Sequence, residues 1–251
     1  DFTFANYANY AMNCNLLLVA GDPLSSVQQK AELAQALGSK GGFSGGILMA
    51  PPLAMIRTLR GLTPKFGCFD SELMQEVPYE RLLAGNPYLR THECWYWIRK
   101  MEARYFAGDY AAALEASSKT QPLIPCSYAM IEEAEYHCYS ALSRAASCDS
   151  ATAGERVKHL EVLAEQYRLI EVWAENCPEN FENRAALVGA EIARIENRDF
   201  DAMRLYERAI QSSRAHGFIN NEALAYERAS SFYRGRGFEQ FADTYLRNAR
   251  V

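Results

Sequence analysis

The stretch RDFDAMRLYERAI, from Arg198 to Ile210, decides how this chain folds. Ala202, Tyr206 and Ala209 recur at helical spacing and so share one stripe of a helix. None of the three carries reactive chemistry. Alanine lets a neighbouring helix approach closely, and a ring fills the space beside it, so the stripe reads as a packing face for another copy of the same unit. A second copy follows in GFEQFADTYLRNAR, where Ala242, Leu246 and Ala249 fall on the same three positions. The step is roughly forty residues, somewhat longer than that of a tetratricopeptide repeat.

Tyr226, Ala229, Ser230 and Tyr233 take the front-helix positions of the last unit. WIRKMEARYFAGDYAAALEAS is a looser third copy, with Trp97 at the front aromatic position. A helical hairpin cannot bury its apolar face alone, whereas stacked hairpins bury it together. The expected fold is therefore all-α: a tetratricopeptide-like right-handed superhelix of helical hairpins, an α-solenoid.

The rest of the chain agrees with a helical reading. It is rich in helix formers, poor in β-branched residues, and shows no alternating strand beside a turn such as Asn-Gly. Helices are expected over about 2–20, 22–37, 88–106, 110–119, 126–147, 153–176 and 179–196, with two final hairpins over 179–216 and 218–250. Short helices separated by GLTPKFG and GNP fill 47–87. Residues 1–87 read as an N-terminal helical segment with an irregular connector at 38–50, and 88–251 as the repeats, together forming one continuous superhelix. Pro178 in NCPENF marks a joint between two long helices.

The bulk properties bound the function. The chain has 251 residues, 49% of them hydrophobic and 23% charged, which excludes disorder as its general state. A net charge of −5 with no Lys/Arg run argues against nucleic acid and anionic membrane as partners. Seven cysteines at irregular spacing, with no CxxC pair, read as free thiols in a reducing, cytoplasmic compartment. LLLVAG is too short to span a bilayer and lacks the basic flank of a signal peptide. A chain that begins at Asp1 rather than Met reads as a piece of a longer protein.

Candidate chemistry is sparse. GSKGGFSGG has neither the GK[ST] ending nor the preceding strand of a phosphate loop, and reads as a connector. His92, His137, His159 and His216 form no HExxH or paired spacing, and adjacent residues such as His92 and Cys94 or His137 and Cys138 make no helical catalytic pair. Glu132 with Glu135, and Glu161 with Glu165, share helix faces and read as solvated. Trp95, Tyr96 and Trp97 form the densest aromatic patch and read as packing between repeats; since three consecutive helical residues cannot all face one core, the alternative is that one of them is open to a partner. No catalytic residue, cofactor or metal is expected.

WAENCPENFENRAALVGAEIARI, RLYERAI, GFINNEALAYERASSFY and YLRNAR, preceded by IRTLRGLT and CFDSE, resemble the helical-repeat region of very large signalling proteins. Those proteins join a serine/threonine-kinase-like domain, a signalling ATPase, this helical region, a GAF domain and a sensor histidine kinase. The resemblance spans nearly the whole chain and names no catalytic residue. No kinase glycine loop, HRD, DFG, Walker A or histidine box is present. It implies a non-catalytic regulatory arm for protein–protein or interdomain interaction, with neighbouring domains of a parent kinase/ATPase or another protein as partner. The alternative is an arm that senses a small-molecule effector, with a pocket in the 38–100 region. Mapping repeat positions onto this chain places Arg184, Glu191, Arg194, Glu227, Ser231 and Arg234 toward a polar groove.

Overall fold

The computed structural model describes residues 12–40, 47 and 49–250. These are built from helices, with twelve α-helices and no strand. The first ten residues of the expected first helix, and most of the GSKGGFSGG connector, lie outside the described residues. The chain divides into two compact units, the first ending at Ser143 and the second beginning at Arg144.

The first unit holds α1 (12–20), α2 (Leu24–Lys40), α3 (Ala50–Leu59), α4 (Glu76–Leu83), α5 (Arg90–Phe106), α6 (Tyr110–Thr120) and most of α7 (Ile131–Ser147). Helix α5 is its axis. It packs against α3, α4, α6 and the 3-10 turns Pro87–Leu89 and Gln121–Ser127. Residue 87, where the sequence reads as passing from an N-terminal segment to the repeats, lies inside this unit, and α4 and the loop before it are tied to α5: Glu76 pairs with Arg104 and Lys100, each at 2.8 Å. The break between the helices expected over 110–119 and 126–147, which holds Pro122 and Pro125, runs further than the sequence suggests. Gln121–Ser127 tightens into a 3-10 turn and Ala129 takes a φ of 62°, so α7 starts at Ile131 rather than near 126. From α7, Tyr139 packs edge-on against Tyr105 and Phe106, and Ser140 hydrogen-bonds to Ser117 at 2.8 Å.

The second unit holds α8 (Ala153–Asn176), α9 (Pro178–Ile195), α10 (Asp199–Ala215), α11 (Ile219–Gly235) and α12 (Glu239–Asn248). A capping box starts α8: Thr152 accepts from the Glu155 N–H while the Glu155 carboxylate reaches back to Thr152. Cys177 ends α8 and Pro178 opens α9 at the first helical position, where a missing N–H costs nothing. Each helix packs on the one before it, and α11 also touches α9.

One turn geometry repeats along this unit. Helices α9, α10 and α11 end with a residue at positive φ: Asn197 at 58°, Gly217 at 77° and Gly237 at 80°. At Gly217 its N–H bonds to the Arg214 carbonyl and the Phe218 N–H to that of Ser213; the bonds at Asn197 and Gly237 have the same spacing. This double closure satisfies the last carbonyls of each helix and reverses the chain within a few residues. The residues at 197, 217 and 237 stand at even spacing, so helices of similar length fold back on one another in succession.

Candidate functional site: an acidic groove on the second unit

The eight residues expected to pack between repeats divide by position. Ala202, Ala209 and Ala242 are fully buried, and Tyr206, Tyr226 and Tyr233 are buried beside them. Leu246 and Ala249 are only half-buried, because α12 packs mainly on α11, reaching α10 through the Tyr245 hydroxyl on Glu207. A stripe of alanines on α10 lets α9 and α11 close on it, and the Tyr206 ring lies 5.6 Å from that of Phe232 on α11.

The six residues expected along a polar groove do not form one surface. Glu227, Ser231 and Arg234 are exposed, whereas Arg184 and Glu191 are buried and Arg194 nearly so. The correction has a physical cause: the polar groups on α9 satisfy one another inside the unit. Glu191 receives a 2.7 Å hydrogen bond from Tyr206 on α10, pairs with Arg228 on α11 at 3.0 Å and with Arg194 on its own helix at 2.8 Å. Burial alone would push the Glu191 carboxyl up, but the Arg228 and Arg194 charges and the hydrogen bonds bring it down to about 2. Arg184 donates to the Asn180 carbonyl at 2.9 Å and lies under the Phe218 ring. These side chains tie three helices together and are not displayed.

The surface that the second unit does offer lies elsewhere. A groove of about 420 Å³ runs between α8, α9 and α10. Its floor is apolar, from Ala174, Ala185, Ala186 and Leu205, and its rim carries three carboxylates, Glu171, Glu175 and Glu182, against the single guanidinium of Arg208. Arg208 pairs with Glu182 at 2.6 Å and draws that carboxyl below its ordinary range. Tyr167 forms one wall; burial, then its hydrogen bond to Glu171, pushes the phenol up to about 12. Small residues on α9 open this space. A Cβ on Gly189 would sit 2.8 Å from the Tyr167 hydroxyl, so glycine lets the ring lie against α9. The run AALVGA carried that signal in the sequence as a cluster of small residues without repeat spacing.

In the first unit, Trp95, Tyr96 and Trp97 are all buried, so they pack and none is left open to a partner. Helix α5 is covered on every side, so consecutive residues each meet a different neighbour. Trp95 donates to Ser127 at 3.0 Å, Tyr96 to Glu80 at 2.7 Å, and the Trp97 ring lies under Lys119 at 4.2 Å. An open depression of about 520 Å³ sits over Trp97, with Lys119, Arg81 and Glu93 at its edge. Glu161 and Glu165 are exposed, as expected, but Glu132 and Glu135 are buried. Burial pushes the Cys94 thiol up to about 11 and the His137 imidazole down to about 4, so at neutral pH one is a thiol and the other uncharged. Both shifts oppose a thiolate–imidazolium pair.

No group of three or more His, Cys, Asp or Glu among the described residues is arranged to hold a metal ion, and no described helix is long and apolar enough to cross a membrane. A scan against protein-family models, a search of the curated proteins and a search of solved structures each gave no match.

Proposed function

We propose that this chain is a non-catalytic, tetratricopeptide-like helical-repeat region whose second unit binds a protein segment or a neighbouring domain. The repeating turns at 197, 217 and 237 and the buried alanine stripes support stacked hairpins of that kind. The observation that carries the binding reading is the open groove between α8, α9 and α10, with its apolar floor and acidic rim. An open groove suits a peptide or helix, whereas small molecules favour enclosed pockets. Three carboxylates against one guanidinium select a segment bearing Lys or Arg beside apolar side chains. The resemblance in sequence makes a signalling kinase or ATPase the proposed parent and regulation the proposed purpose.

The test is titration of fluorescent peptides of matched hydrophobicity that are either basic or acidic. Basic peptides should bind, more weakly as salt rises, and Glu171→Lys with Glu175→Lys should weaken that binding at least ~10-fold, as loss of two attractive charges at a part-buried site implies. Equal binding of both peptide classes, or no effect of the double reversal, rules the groove out. Reversal of Arg234, which is exposed, should leave this binding unchanged. Reversal of Arg194 would read out folding instead, because that side chain is part of the buried network.

The effector-sensing alternative rests on the depression over Trp97, within the region where the sequence places such a pocket. A ligand held there at one hundred times its dissociation constant should stabilise the first unit by about 2.7 kcal/mol. A thermal-shift screen with nucleotides, sugars and amino acids, repeated on Lys119→Ala, distinguishes this reading. A saturable shift lost in the variant supports it, and no shift across the panel removes it.

A further inference from the structure

We infer that the first unit is held together around a shared proton: Arg99 faces two buried carboxyls, Glu102 and Glu132, at least one of which is kept as the neutral acid, so that rising pH loosens the helices that carry them. This goes beyond the binding reading and does not depend on it.

The geometry is specific. Arg99 and Glu102 on α5 are 1% and 2% exposed, Glu132 and Glu135 on α7 are 0% and 3%, and Asn15 on α1 is 2%. Arg99 places Nη1 on both Glu102 oxygens, at 2.9 and 2.8 Å, and Nη2 on the Asn15 side-chain oxygen at 3.3 Å. Both carboxyl oxygens of Glu132 are buried without a hydrogen-bond partner. Arg99 is the cation acting on Glu102 and on Glu132, and Glu135 adds negative charge beside both. Cys94 of α5 also lies within electrostatic reach of Glu132, as a protonated thiol.

With both carboxyls ionised, Glu102 would hold the Arg99 guanidinium and the Glu132 carboxylate would stand out of contact with water with no hydrogen bond to either oxygen. An unpaired buried carboxylate is so costly that the group takes up a proton instead. The orphaned oxygens of Glu132 mark where an ionised group would have no donor to stabilise it. Burial outweighs Arg99 at Glu102 and pushes its carboxyl up to about 7; burial also raises Glu132. Glu102 and Glu132, which share the Arg99 charge, titrate as a coupled pair.

The sign follows from linkage. In the unfolded chain these carboxyls release their protons near 4.5, whereas the folded cluster retains one to about 7. Its contribution to stability is complete below the unfolded value, declines as pH rises between the two, and is lost above the folded value. Three helices, α1, α5 and α7, meet at the cluster and should loosen together.

Hydrogen exchange of the whole chain, corrected for intrinsic chemical rates, tests this at about pH 5 and about pH 8. Peptides from α5 and α7 should lose protection by roughly one to two orders of magnitude on going to the higher pH, while peptides from α9 to α11 should not. Glu132→Gln supplies a permanently neutral side chain of the same shape, so its α5 and α7 protection should be higher than wild type at the alkaline value and vary less with pH. Infrared difference spectroscopy of the wild-type chain provides a second readout that needs no variant: a protonated carboxyl band present near neutrality should disappear at alkaline pH. Protection of α5 and α7 that is indifferent to pH, the absence of that band, or Glu132→Gln weakening the unit equally at both pH values would each overturn the proposal.

Discussion

Glu191→Ala is expected to destabilise the second unit by about 3–5 kcal/mol, the range for breaking a buried ion pair from one side. The carboxylate is 1% exposed and gathers Tyr206 from α10, Arg228 from α11 and Arg194 from α9. Its removal leaves the buried Tyr206 hydroxyl without its acceptor and takes from Arg194 and Arg228, both nearly buried, the carboxylate they share. Glu191→Gln should cost less, because the amide oxygen still accepts from Tyr206 or Arg228. The pH dependence carries an independent sign. The folded carboxyl sits at about 2 against an ordinary 4.5, so it contributes about 3 kcal/mol that is present above the unfolded value and lost as pH falls toward 2. Denaturant unfolding, with hydrogen exchange to assign the loss to α9–α11, checks both statements. Arg234→Ala is the contrasting case: Arg234 also has two carboxylate partners, but all three side chains are well exposed, and the cost should stay below ~1 kcal/mol. A loss of that small size for Glu191→Ala would mean that the network does not hold the three helices together.

The fold was legible where a residue's burial followed from its chemistry. Ala202, Ala209 and Ala242 are small and apolar, recur at helical spacing, and are buried between helices. The turns were legible for the same local reason, since glycine or asparagine after a helical run marks a left-handed helix end. The polar interior was not legible. Arg99, Glu102, Glu132, Arg184 and Glu191 are all among the least exposed side chains, yet charged residues on a helix read as its solvent face until their partners are known. Those partners lie on other helices: Glu191 meets Arg228 thirty-seven residues away, and Arg99 meets Asn15 eighty-four residues away. No periodicity within one helix can report such pairs. Helix α5 shows the complementary case. The run Trp95, Tyr96, Trp97 breaks the pattern of a one-sided helix because α5 has no solvent side to keep. The groove was hidden in another way, since it is a space left by Ala174, Ala185 and Ala186, and small residues read equally well as contact points.

Gly67→Ala is the second substitution with a large expected effect, and it acts through the backbone. Gly67 lies in the loop between α3 and α4 with a φ of +79°, a conformation costing an L-residue about 1–2 kcal/mol. An added Cβ would also sit 2.5 Å from the Ala107 Cβ and 2.8 Å from the Ala103 carbonyl oxygen, both at the C-terminal end of α5. Neither obstacle is a flexible side chain that can swing aside, so the loop must move away from the helix. Movement breaks the 2.7 Å bond from the Gly67 N–H to the Thr58 hydroxyl, a buried pair whose loss costs about 1–3 kcal/mol. It also displaces Phe69, which is fully buried and whose N–H donates to Glu76 at 2.7 Å. The first unit is therefore expected to lose at least about 3 kcal/mol, from the backbone strain and the broken bond together. Cys68, next in sequence and half-buried against Asp70 and Glu76, should react faster with an alkylating reagent as the loop lifts. Gly85→Ala separates the two causes. Gly85 has a φ of +71° and nothing within 4 Å of an added Cβ, so it should show the conformational cost alone, near 1 kcal/mol. Equal losses for the two variants would mean that the contact with α5 yields without cost and that the loop is not what fixes α4 against the axis of the unit.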